Sequence, residues 1–193
     1  MDDGAQLNSP ATLPAILART EALAFSMPSE PRTGAMLRVL AASKPGGRLL
    51  ELGTGTGLST AWLLDGMDRD AKLISVDVDP KPQAVAREIL GSDARLEIVT
   101  EDAAVYLRRQ TAATFDLIFA DAMPGKYEHL DDALALLTPG GLYVIDDMLP
   151  QANWPEHHAE KVPRLIADLA SRAEVRIVSL AWSSGLVVVA RSR

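Results

Sequence analysis

From residue 48 onward, short and almost wholly apolar runs alternate with longer stretches in which apolar residues recur every three or four positions. Runs of the first kind, rich in β-branched residues and bounded by Gly, Pro or Asp, read as buried strands, and the second kind as helices. Seven strands result, near 48–52, 72–77, 95–99, 115–120, 141–146, 175–181 and 185–191. Helical stretches between strands imply parallel crossovers, so the pattern predicts an α/β, doubly wound, mostly parallel sheet with helices on both faces. Only Trp182-Ser183-Ser184-Gly185 separates the last two strands, a hairpin length that makes the last strand antiparallel to the others. The clearest helix precedes that hairpin: Val162, Leu165, Ile166 and Leu169 follow the i, i+3, i+4, i+7 template, and Pro155 suits its first turn. Ahead of the sheet, residues 12–25 and 33–42 read as two helices. Ser26-Met27-Pro28-Ser29-Glu30-Pro31 joins them, its prolines breaking the first helix and stiffening the connection.

Length and composition narrow the classes. At 193 residues the chain is expected to form a single domain, 1–193, able to bury about 70% of its unfolded surface. The N-terminal helices, about 12–42, are too short for a domain of their own; they are expected to cover a ligand or to form a homodimer contact. The net charge of −7 argues against a nucleic-acid backbone and for a small-molecule partner. The absence of cysteine excludes disulfides and cysteine metal sites. No apolar run approaches the ~18 residues of a bilayer span, and Met1-Asp2-Asp3-Gly4 does not open a secretory signal, so no membrane contact and a cytoplasmic location are expected.

The chemistry concentrates in Leu49 to Thr60, where an apolar strand reaches Glu51, three glycines alternate with small residues, and a helix begins near Leu58. A side chain at Gly53, Gly55 or Gly57 would keep a ligand from lying against such a turn, and the helix start offers free N–H groups to a carboxylate or phosphate. The dinucleotide fingerprint requires Gly-x-Gly-x-x-Gly; here the third glycine comes one residue early, which favours S-adenosylmethionine over NAD. A second acid, Asp77, ends the run Leu73-Ile74-Ser75-Val76 twenty residues after Gly57, where a carboxylate accepts hydrogen bonds from ribose hydroxyls. Asp79 precedes Pro80 and fits a helix cap better. Asp121 ends the strand after Phe115, and Asp146 and Asp147 end the strand after the Pro139-Gly140-Gly141 turn. These ends lie side by side at the carboxyl edge of a doubly wound sheet, so the three carboxylates are expected to converge. Their repulsion calls for a proton or a cation, and oxygen ligands suit Mg²⁺, Ca²⁺ or Mn²⁺. Asp146 and Asp147 can alternatively cap the following turn.

The glycine turn with its acid two residues earlier resembles motif I of the class I S-adenosylmethionine-dependent methyltransferases. The parallel sheet closed by a hairpin resembles their seven-stranded fold, order 3-2-1-4-5-7-6. From about residue 26 onward the chain resembles the catechol and caffeoyl-CoA O-methyltransferase branch. That resemblance implies O-methylation of a small catechol-like acceptor assisted by a divalent metal held by Asp121, Asp146 and Asp147, the last standing where the branch has asparagine. It further implies cofactor contacts from Met27, Glu51, Gly53, Gly55, Gly57, Ser59, Asp77, Asp102 and Ala103. One departure stands out: Pro124 occupies the position of the branch's general-base lysine, and Lys126 follows two residues late. Lys126 is thus a candidate base on the acceptor hydroxyl, or else a solvated loop residue. His129, expected on a helix, and His157 and His158, at the start of the late helix, read as surface residues or acceptor contacts, and Trp154 as a pocket wall or a packing residue. Alternatives are a metal-independent methyltransferase acting on a nitrogen or a larger substrate, an NAD-dependent oxidoreductase, and a cofactor-binding protein without activity.

Overall fold

The computed structural model describes residues 7–151, 154 and 156–192. Seven strands, β1 (Arg48–Leu52), β2 (Lys72–Asp77), β3 (Leu96–Thr100), β4 (Phe115–Ala120), β5 (Leu137–Ile145), β6 (Val175–Leu180) and β7 (Leu186–Arg191), form one sheet in the order β3-β2-β1-β4-β5-β7-β6. The first five pair in parallel, while β7 runs antiparallel to both β5 and β6. The closing hairpin is the one expected from the pattern of apolar runs, and the strand order is the one the resemblance implied.

Period-two alternation sends successive side chains of each strand to opposite faces, and both faces are covered. On one face Leu50, Ile118, Tyr143, Ile145 and Val189 pack with α5 (Ala103–Arg108), α7 (Leu130–Ala135) and α8 (His158–Ser171). On the other, Leu49, Leu73, Leu117, Phe119 and Val144 pack with α1 (Leu13–Ala22), α2 (Pro31–Ala42), α3 (Leu58–Gly66) and α4 (Pro80–Leu90). Strands buried on both sides explain why the runs are continuously apolar.

Several boundaries differ from expectation for local reasons. Helix α1 ends at Ala22, before the prolines, because Ala24 turns left-handed at φ 49°. Pro31 starts α2 instead of belonging to the connection, as a proline can at the first helical position. Strand β5 begins four residues early, at Leu137: Pro139-Gly140-Gly141 forms an irregularity inside the strand, with Gly140 at φ 80° and a register shift against β4. His129 is the left-handed residue that precedes α7 and not a helical one. Pro155 lies outside the described residues, and α8 starts at His158. Among the described residues no helix is long and apolar enough to cross a membrane.

Candidate active site

The β1–α3 turn carries its three glycines at φ 104°, 51° and 94°. Gly53 is the most constrained: a Cβ there would sit 2.9 Å from the backbone oxygen of Asp121, so the turn lies flat against the end of β4. The Gly55 N–H donates to Asp77 Oδ2 at 2.8 Å, and the Asp79 N–H donates to Asp77 Oδ1 at 2.9 Å. Two backbone amides thereby fix the Asp77 carboxylate at the end of β2, and its remaining lone pairs are free for further donors. Asp79 caps α4 by accepting from the Lys81 N–H at 2.9 Å.

Beneath the turn runs a buried polar network. Glu51 Oε2 accepts from Thr60 Oγ1 and Ser75 Oγ, both at 2.5 Å, and Ser75 Oγ lies 2.6 Å from Thr54 Oγ1. Gln83 Nε2 donates to Thr54 Oγ1 at 3.1 Å and to the Val99 carbonyl at 2.9 Å, which ties α4 and β3 to the turn. Glu51 Oε1 has no partner. Burial pushes the Glu51 carboxyl up to about 7, against the opposing pull of the surrounding hydroxyls.

A cavity of about 530 Å³ opens along the carboxyl edge of the sheet, within the range of small-molecule sites. Gly53, Gly55, Asp77, Asp102 and Ala103 line one half, and Asp121, Lys126, Asp146, Asp147, Trp154 and His158 the other. Met27 and Ser29, from the α1–α2 connection, lie across it. Of the expected cofactor contacts, Glu51, Gly57 and Ser59 do not line the cavity: Glu51 and Ser59 are buried in the layer below it, and Gly57 packs against Ala86 of α4. Asp102 also caps α5, accepting from the Ala104 and Val105 N–H groups at 2.8 and 3.1 Å.

The acidic half is built around Lys126. Pro124 and Gly125 interrupt the short turn α6 (Met123–Lys126) with non-helical angles, Gly125 at φ 87°. A Cβ on Gly125 would lie 2.5 Å from Leu52 Cδ1 and 2.8 Å from the Tyr143 hydroxyl, and that hydroxyl donates to the Gly125 carbonyl at 2.6 Å. Pinned in this way, the turn aims Lys126 inward. Its side chain is 4% exposed, with Nζ 3.6 Å from Asp121 Oδ1 and 3.9 Å from Asp147 Oδ2. Lys126 is therefore no solvated loop residue. Asp121 Oδ2 accepts from Ser29 at 3.2 Å, and Asp146 Oδ1 accepts from the Asp147 N–H at 2.8 Å and from Ser184. Burial raises Asp121 to about 8, with Lys126 opposing, and raises Asp146 to about 6, with Ser184 opposing. Asp147 turns left-handed at φ 65°, a conformation that aspartate and asparagine tolerate better than other residues.

A metal does not fit this donor set. Among the described residues no group of three or more His, Asp or Glu side chains is arranged to hold an ion. Asp146 Oδ1 is taken by Ser184 and the Asp147 N–H, and the ammonium sits against the other two acids. A divalent ion bound to Asp121 Oδ1 would lie within about 6 Å of that ammonium, a repulsion on the order of 5 kcal/mol at an effective dielectric constant of about 20.

Around His158 the cavity wall is aromatic. Tyr127 Oη lies 2.9 Å from His158 Nε2, and the Trp154 ring stacks on the imidazole with centroids 4.4 Å apart. Burial, and next the Lys126 charge, lower the His158 pKa, which favours the neutral ring. His129 lies outside the cavity, bonded to Asp132 at 2.9 Å, and His157 Nδ1 lies 3.2 Å from Glu160 Oε1. Sequence reasoning missed Ser29, Tyr143 and Ser184. A tyrosine inside an apolar strand was a signal, because a buried phenol seeks a partner; nothing in the sequence marked the two serines.

Comparison with known proteins agrees with the fold and the glycine turn. Residues 50–148 match a family described as "Methyltransferase domain". A putative O-methyltransferase of Mycobacteroides abscessus is 33% identical over 154 residues, 73% of this chain and 72% of the relative. The chain belongs to this methyltransferase family. Another putative O-methyltransferase, from Mycolicibacterium vanbaalenii, is 35% identical over 120 residues, 60% of this chain. The matched region spans about half the length of that relative, 53%. Among solved structures, the O-methyltransferase TomG of Streptomyces achromogenes, crystallised with S-adenosylmethionine and involved in tomaymycin synthesis, superposes with a TM-score of 0.80 at 23% identity. That superposition covers 95% of this chain and 90% of TomG.

Proposed function

We propose that the chain is an S-adenosylmethionine-dependent O-methyltransferase acting on a small hydroxylated acceptor, a catechol-like ring among them. The observation that carries this reading is the single cavity that joins Gly53, Gly55, Asp77 and Asp102 to Asp121 and Lys126. Asp77, Asp102, Ala103 and Met27 line it and would hold the cofactor, with the Asp77 carboxylate as an acceptor for its ribose hydroxyls. The N-terminal helices form part of one domain and act as a cover. Bound cofactor supplies an electrophilic methyl group. An acceptor oxygen beside Lys126 donates an electron pair to the methyl carbon as the carbon–sulfur bond breaks, leaving a neutral thioether. The hydroxyl proton passes to the Asp121 carboxylate. Positioning and charge supply most of the acceleration.

Only a small acceptor fits beside the cofactor in about 530 Å³, which disfavours macromolecular substrates. The acidic chain is read as a cytoplasmic enzyme without nucleic-acid or membrane partners. The test is transfer of labelled methyl from S-adenosylmethionine to a panel of catechols, phenols and amines, alongside calorimetry with S-adenosylhomocysteine and NAD. Binding of NAD in place of S-adenosylhomocysteine, or turnover confined to amines, would reject the reading.

A further inference from the structure

We propose that the Lys126 ammonium takes the place of the divalent cation used by the branch this chain resembles, so that methyl transfer here runs without a metal. The inference rests on reading the cavity as a methyl-transfer site. Its basis is the arrangement of the four charged groups. A divalent ion needs a full oxygen shell around its carboxylates with no cation pressed against them, whereas an ammonium needs only acceptors at salt-bridge distance. The structure provides the second arrangement: Lys126 Nζ stands 3.6 Å from Asp121 and 3.9 Å from Asp147, and the lysine is buried. The third acid has one oxygen turned to other work. Asp146 accepts from Ser184 and from the Asp147 N–H, and Ser184 Oγ lies 3.4 Å from Thr33 Oγ1 of α2, so this carboxylate holds the β6–β7 hairpin and α2 to the end of β5.

The turn that delivers the lysine is equally specific. Pro124 and the left-handed Gly125 fold the chain back against Leu52, and the Tyr143 hydroxyl fixes the Gly125 carbonyl. Two residues more than the branch pattern thereby carry the ammonium into the acid cluster. There the positive charge lowers the cost of the acceptor oxyanion, the task a Lewis-acidic metal performs elsewhere. Lys126 is a catalytic residue in this scheme, holding the acceptor oxygen while Asp121 receives its proton.

The test uses the whole chain freed of metal with EDTA, labelled S-adenosylmethionine and the catechol and phenol panel, with and without excess Mg²⁺. Mn²⁺ is titrated in parallel into the S-adenosylhomocysteine complex and followed by calorimetry and electron paramagnetic resonance. Turnover in EDTA should equal turnover in Mg²⁺ within twofold, and Mn²⁺ should show no binding below millimolar concentration. Lys126→Met should lose about a hundredfold or more in kcat while keeping its S-adenosylhomocysteine affinity within twofold, and added Mg²⁺ should not rescue it. Turnover abolished by EDTA and restored by Mg²⁺, or Mn²⁺ bound at submillimolar Kd, would overturn the proposal. Should Lys126→Met fail to fold, or no acceptor in the panel turn over, the Mn²⁺ titration of the native complex still decides. Failure to bind S-adenosylhomocysteine at all would instead overturn the methyl-transfer reading.

Discussion

Glu51→Gln should flatten the pH dependence of stability, and the size of the change follows from the surroundings of one carboxyl group. Glu51 is fully buried, two hydroxyls donate to its Oε2, and Oε1 has no partner. Burial raises its pKa from 4.5 to about 7, so between those values the native state binds more protons than the unfolded state. Stability from this group is therefore fully present below about pH 4.5 and is lost as pH rises through 7. Integrating the linkage between pH 5 and pH 8 gives a loss of about 2–3 kcal/mol, a large share of a typical folding free energy. Glutamine keeps the shape and the Oε2-side acceptor but carries no titrating charge. Its amide N–H₂ lacks a partner, as Oε1 does, and that penalty of about 1–3 kcal/mol does not vary with pH.

The quantity to measure is thus the difference between wild type and Glu51→Gln in urea unfolding at pH 5, 6, 7 and 8. It should shift by about 2–3 kcal/mol in favour of the variant across the series. The raised carboxyls Asp121 and Asp146 also titrate in this range, but they are common to both proteins and cancel in the difference. Parallel stability–pH curves, with the difference constant within about 0.5 kcal/mol, would show that Glu51 is ionised in the native state throughout and would refute the reasoning.

Other perturbations address the site. Asp77→Ala should weaken S-adenosylhomocysteine binding by about 1.5–3 kcal/mol in calorimetry, the range for hydrogen bonds to a charged group; affinity unchanged within twofold would remove Asp77 from the cofactor half. Gly53→Ala places a Cβ 2.9 Å from the Asp121 backbone oxygen at φ 104°, and should cost about 1–3 kcal/mol in urea unfolding together with cofactor affinity. Tyr143→Phe removes the hydroxyl that holds the Gly125 carbonyl; stability should fall by about 1 kcal/mol, and kcat should fall while S-adenosylhomocysteine affinity stays constant.

The sheet was legible because both faces of its central strands are buried: β1 and β4 had to be apolar runs, and the acids at the run ends mark the carboxyl edge. Asp77, Asp79 and Asp121 could be located in the same way. The orientation of Glu51 and Ser59 was not legible, because local sequence cannot tell whether a strand-end acid faces the turn or the helix below it. That choice depends on Thr60 and on Ser75, which lies on another strand. The bond that Asp146 accepts from Ser184 was not legible either, because that partner lies 38 residues away in the chain. The Pro139–Gly141 turn misled for a different reason, since a glycine bulge inside a strand and a turn before one use the same residues.

Two departures from the branch pattern, the displaced Lys126 and an aspartate at 147, belong together. Position 147 is left-handed, which accounts for the choice between asparagine and aspartate but not for the added charge. The charge has a partner in Lys126, 3.9 Å away. The Asp147 side chain is 37% exposed, so the pair is worth at most about 1 kcal/mol after screening. Asp147→Asn, which restores the branch residue, should therefore lower kcat by up to about fivefold through a less well held ammonium, while stability changes by under about 1 kcal/mol and Mg²⁺ has no effect. If aspartate 147 instead strengthens a metal site, the same substitution should weaken Mn²⁺ binding and raise the Mg²⁺ concentration needed for turnover. A steady-state Mg²⁺ titration of both proteins separates the cases, and any Mg²⁺ requirement that shifts with the substitution would show that the two departures serve a metal after all.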